Sequence, residues 1–221
     1  MYMTTIFPQT VACAYCGIKN EIVKVGSTNA FGSMDLDMRP PPMQRDTLAQ
    51  QIYQCHGCRY CAPDLAERIG PDEELASDPY RAILADNSLP RLACMFTAYA
   101  HLAEASGDLR SALWAHRNAA WACDDTTGAF ESACRCRRSA LQLLDKLHAQ
   151  GLSFSNDLTT DSILELDLLR RSGRHDDVLA RAAELENQEL PDILKAITVF
   201  QRRMAATGDM ACYQVSDAAP A

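Results

Sequence analysis

The spacing of apolar positions changes rhythm near Asp64. Before it, apolar residues fall into short β-type runs broken by Gly, Pro and Cys. Residues 21–25 and 51–54 are two such runs, each beside a cysteine pair. After it, apolar positions recur at steps of three and four. The clearest run is Phe130, Ala133, Cys134, Arg137 (by its stem), Leu141, Leu144 and Leu147, which predicts a helix over residues 128–149. Pro71 with Asp72, Glu73 and Glu74 starts an earlier helix, and Pro90 starts one running to about Ser106. Gly107 breaks it, and the next helix covers residues 109–123. Ser162 and Glu165 form a candidate capping box for a helix through Arg171. Gly173 ends that helix, a further one runs to about Glu186, and Pro191 opens the last, to about Ala206. The tail from Ser216 is expected to fray.

Two of these breaks share a shape. Gly107 and Gly173 each separate two helices and lie 66 residues apart (173 − 107), about twice the ~34-residue period of tetratricopeptide (TPR) repeats. Stacked TPR-like helix pairs and an ordinary antiparallel bundle both satisfy the pattern. The expected fold class is mostly α, with a small N-terminal β-rich ribbon followed by an antiparallel TPR-like helical domain. Residues 1–66 form the first part, 67–210 the second and 211–221 a tail.

The candidate chemistry is concentrated in the first part. Cys13-Ala-Tyr-Cys16 and Cys55-His-Gly-Cys58 are two C-x-x-C pairs. Two thiolates two residues apart grip one ion from a tight turn, and two such turns complete a tetrahedron. Zinc is the expected occupant, one per chain, with iron as the alternative. Gly17 after Cys16 suits the turn, whereas Arg59 follows Cys58, so the second turn is expected to be less regular. Cys61 extends the second pair to C-x2-C-x2-C, and spacing leaves open whether it replaces or supplements a ligand. The segment between the pairs carries Asp35, Asp37 and Arg39 followed by Pro40, Pro41 and Pro42. It reads as a loop that projects from the metal core. Asp35 and Asp37 alternate as strand residues do, which makes them a candidate cation or binding site, or else simple turn formers.

Composition narrows the possible roles. The 221 residues are 48% hydrophobic and 23% charged, enough for a packed core. The net charge of −8 disfavours nucleic acid and anionic membrane as partners, and in residues 1–66 five basic and five acidic side chains balance. No stretch approaches ~18 consecutive apolar residues. The opening residues carry no signal-peptide pattern, and ten cysteines without one point to reduced thiols in the cytoplasm. No phosphate loop, nucleotide fingerprint, H-E-x-x-H or G-x-S-x-G occurs.

The order of motifs resembles an uncharacterised bacterial family known only as a domain of unknown function. The residues that carry it are the paired C-x-x-C motifs, Asp35-Leu36-Asp37 with Arg39-Pro40, and Tyr60-Cys61-Ala62-Pro63-Asp64. It spans roughly residues 10–190 and implies an N-terminal zinc ribbon, C-terminal TPR-like helices and no known activity. The chain departs from the family's C-P-x-C-G-Y second knuckle at His56 and Arg59.

Three roles follow as expectations. The first is a non-enzymatic adaptor whose stacked helices bind an unidentified protein, with Arg135, Arg137 and Arg138 as candidate groove residues. The second is a nucleic-acid-binding ribbon, and the third a metal- or thiol-dependent enzyme or redox protein. Oligomeric state is not encoded in any pattern found.

Overall fold

The computed structural model describes residues 4–219. It is mostly α-helical with a small N-terminal β part. Two antiparallel hairpins come first. β1 (Thr5–Ala12) pairs with β2 (Lys19–Ser27), and β3 (Tyr53–Gln54) pairs with β4 (Cys61–Ala62). Between them lie an irregular segment and a 3-10 turn, Arg45–Gln50. The helices follow: α1 (Asp72–Leu75), α2 (Asp78–Ala85), α3 (Arg91–Ala105), α4 (Leu109–Asp124), α5 (Phe130–Ala149), α6 (Leu158–Arg171), α7 (His175–Glu186), α8 (Asp192–Ala206) and α9 (Val215–Ala218).

Local chemistry explains most boundaries. Asp108 caps α4 by accepting from the Ser111 N–H. Gly107 and Gly173 take positive φ (83° and 81°) just after α3 and α6, where a side chain would be strained. The start of α6 differs from expectation. Asp157 is its cap, accepting from Thr159 and Thr160, while Ser162 already lies inside the helix and bonds back to the Leu158 carbonyl. Asp161 takes the backward-reaching role. Its buried carboxylate accepts from the backbone of Phe154 and Ser155 and from the Ser155 hydroxyl, fixing the loop before the helix.

Helices adjacent in sequence pack on one another from α3 to α8, and α6 also meets α8. Small side chains dominate the contact surfaces: Ala112, Ala115, Ala119, Ala133 and Ala140 are fully enclosed. The hairpins join this layer rather than standing apart. β4 packs on α3, and Tyr60, Cys61, Ala62 and Leu65 belong to the same buried cluster as Phe96 and Leu102. Tyr80 on α2 donates its hydroxyl to the Arg59 carbonyl and accepts from the Cys61 N–H.

The segment expected to project from the metal core instead runs back into the helical layer. A tight turn closed by Met38 N–H to Asp35 carbonyl and Asp35 N–H to Arg39 carbonyl buries Asp35, Leu36, Asp37 and Arg39. Met38 holds the turn at φ 65°. The C-terminal tail fastens it: Leu36 N–H donates to the Tyr213 carbonyl and Val215 N–H to the Met34 carbonyl. The tail is therefore ordered through α9, contrary to the expected fraying from Ser216. Pro220 and Ala221 lie outside the described residues.

Candidate metal centre

Each hairpin ends in a cysteine turn of the same construction. In the first, Cys13 N–H bonds the Ile18 carbonyl and Gly17 N–H bonds the Cys13 carbonyl. In the second, Cys55 N–H bonds the Tyr60 carbonyl and Arg59 N–H bonds the Cys55 carbonyl. Gly17 has φ 70° and Arg59 has φ 64°, so Arg59 adopts the left-handed conformation that glycine supplies in the first turn. The second turn is thus as regular as the first. Gly57 serves a different purpose: a methyl there would sit 2.3 Å from Ile18 Cδ1, so its bare Cα lets the two turns approach.

Left-handed backbone costs a non-glycine residue roughly 1–2 kcal/mol. Arg59→Gly is therefore expected to raise unfolding stability by about 0.5–1 kcal/mol, and Gly17→Ala to lower it by about 1 kcal/mol. Urea midpoints of the two variants, measured side by side, check both signs.

The two turns bring four sulfurs together. Cys13, Cys16, Cys55 and Cys58 Sγ all lie within 4.8 Å of one another. Cys13 to Cys58 is 3.6 Å and Cys16 to Cys55 is 3.5 Å. Those separations are far beyond a sulfur–sulfur bond of about 2.05 Å. They match the edge of a tetrahedron, about 3.8 Å, built on metal–sulfur bonds of about 2.3 Å. Among the described residues this is the one group arranged to hold a metal ion. Cys61 is outside it. Its enclosed thiol accepts from Gln54 Nε2 and donates to the Arg59 carbonyl.

Donors surround the sulfurs as a thiolate cluster requires. Burial raises the Cys13 thiol, while the N–H groups of Cys16 and Tyr15 oppose it. At Cys55 burial acts against the thiolate, but the N–H groups of Cys58 and Gly57 and the Asn20 amide overcome it and hold the thiol down to about 6. Burial pushes Cys58 strongly up. Without a cation four adjoining sulfurs cannot all carry charge, and a divalent ion removes that conflict.

The acidic candidates do not form a cation site. Asp35 pairs with Arg45 at 2.6 Å and accepts from the Cys212 thiol. Asp37 accepts from Arg171 Nη1 at 2.9 Å and Trp121 Nε1 at 2.8 Å, with Arg137 Nη2 at 3.8 Å. Arg39 pairs with Asp125 at 2.5 Å. Burial raises the Asp37 carboxyl, but Arg171, Arg137, the Trp121 N–H and Arg117 together hold it below the usual carboxylate range.

The three groove candidates part company. Arg137 is buried and clasps Asp124 with both terminal nitrogens. Arg135 turns toward Asp86 and Ser88, and Arg138 is exposed. The arginines that converge are Arg117, Arg137 and Arg171, and the carboxylates they meet, Asp37 and Asp124, belong to this chain. Arg117 stacks over Trp121 at 4.7 Å and Phe154 at 5.0 Å. No helix among the described residues is long and apolar enough to cross a membrane. No family model, curated protein or solved structure matches this chain.

Proposed function

We propose that the chain is a zinc-stapled adaptor. The observation that carries the metal reading is the near-tetrahedral spacing of four thiols on two matching turns. Four sulfur ligands favour zinc or iron among common ions, and zinc suits a closed structural site. Such a site leaves no ligand position open for activated water, so its role is to hold the hairpins in place. The motif order that resembles an uncharacterised bacterial family agrees with this assignment and adds no activity.

The adaptor part of the reading rests on the first hairpin. Pro8 opposes Val23 and Ile6 opposes Val25 in the ladder, so these four side chains share one face. Ile6, Pro8 and Val23 are exposed there, while Val11 and Ile22 turn inward. A two-stranded sheet with an apolar outer face is a surface for a protein partner. The arginine cradle is not that surface, since the chain's own Asp37 fills it.

Elemental analysis of protein purified without added metal is expected to find one zinc per chain and no colour. A red or brown iron–thiolate band would overturn zinc. Affinity capture from the native host is expected to retain a defined partner with wild-type protein and lose it with Ile6→Lys/Val23→Lys. Identical capture by both, with the metal retained, would end the hairpin reading.

A further inference from the structure

One side chain touches both cysteine turns without being a cysteine or lying in either motif. Asn20, near the start of β2, is only 3% exposed. Its Nδ2 donates to the Ile18 carbonyl at 2.9 Å and to Cys55 Sγ at 3.6 Å. Its Oδ1 accepts from the His56 N–H at 3.0 Å, and His56 Nδ1 lies 2.8 Å from the same oxygen. The Ile18 carbonyl also takes the Cys13 N–H, so one end of the amide is anchored in the first turn. The other end meets the two residues that open the second turn, Cys55 and His56.

These contacts fix which way the amide faces. A backbone N–H only donates and a backbone carbonyl only accepts, so Oδ1 must face His56 and Nδ2 must face Ile18. An amide NH2 has two hydrogens. The Ile18 carbonyl takes one, and the second is left for Cys55 Sγ. The sulfur therefore meets a donor and not a lone pair.

Four thiolates bring four negative charges to a divalent ion that carries two positive ones. Each N–H aimed at a sulfur draws off part of that excess and orients the ligand. The other donors to Cys55, the N–H groups of Gly57 and Cys58, belong to the backbone of the turn, and any sequence in that conformation supplies them. The Asn20 hydrogen bond depends on the side chain.

We propose, resting on the metal reading above, that Asn20 is the positioning residue of the metal centre. Its amide ties the second turn to the first, and its N–H disperses thiolate charge at Cys55, so this one side chain governs how firmly the ion is held.

The test uses the full chain loaded with zinc, and with cobalt as a coloured substitute. Asn20→Ala removes every contact of the amide. Asn20→Asp keeps its shape and its acceptor toward His56 but sets a carboxylate where the donor was, and it carries the test should Asn20→Ala not load. In competition with a chromophoric chelator, the zinc dissociation constant is expected to rise by about 10–100-fold in either variant. The sulfur-to-cobalt charge-transfer band, which a mere spacer would not move, is expected at longer wavelength than in wild type, because the sulfur has lost a donor. Weaker binding with an unmoved band would overturn the role at sulfur. Wild-type affinity and band in both variants would overturn the assignment of Asn20 and leave the metal reading intact. Wild-type protein that binds neither zinc nor cobalt would overturn the metal reading, and this assignment with it.

Discussion

Asp37→Asn is expected to destabilise the protein by about 3 kcal/mol, within the range of about 3–5 for removing one partner of a buried ion pair. The substitution keeps the shape of the side chain, but its single oxygen can accept on one side only, from Trp121 Nε1 or from the Arg39 N–H, and its amide NH2 then faces the other donor. What it removes is the negative charge facing Arg171, Arg137 and Arg117, all of them buried. Asp124 alone then answers Arg137 and Arg171, and nothing comparable answers Arg117. The sign with pH is fixed by the direction of the Asp37 shift. Its folded carboxyl lies below its unfolded value near ~3.9, so its stabilisation is complete above that value. It is lost as pH falls through the lower, folded value. Urea unfolding between neutral and strongly acid pH should show a steeper acid loss for wild type than for Asp37→Asn. Equal stability of the two proteins at neutral pH would show that the cradle does not depend on the charge.

Cys55→Ser is expected to release the metal and unfold both hairpins. Ligation at structural thiolate sites contributes on the order of 10 kcal/mol, comparable with the whole stability of a typical domain. The second hairpin has only two residues in each strand, and an isolated two-stranded ribbon is marginal in water. Hydrogen exchange is the discriminating measurement. Amides of β1, β2 and the two cysteine turns should lose protection, while those of α4 and α5 should keep most of theirs. Metal analysis on the same sample should read zero. A fully protected β1–β2 ladder without metal would show that the packing of β4 on α3 suffices to hold the module.

The helices and the thiol cluster were legible in the sequence because both are specified locally. Gly107, Gly173, Pro90 and Pro191 punctuate the chain at sites where the backbone alone dictates a break. A C-x-x-C turn likewise needs only five consecutive residues. Arg59 shows the limit of residue identity: the turn demands φ near 64°, and arginine adopts it where glycine would be expected. The strand β1 was missed because seven of its eight positions are exposed, so no alternation of buried and polar residues marks it. The arginine–aspartate cradle was illegible for another reason. Asp37 and Arg171 are 134 residues apart, and an aspartate next to prolines reads as a turn former whatever it later touches.

The span between the two cysteine pairs also fixes an order of events during synthesis. The paired knuckles leave the ribosome before the helices and could take up a metal ion while those are still being made. The seat for Asp37 is incomplete until residue 171 has emerged, and the fasteners of its thread, Tyr213 and Val215, come later still. A nascent chain of this design must keep an unseated acidic turn in solution while α3 to α6 are being made, and closing that long loop is expected to be the slow step of folding.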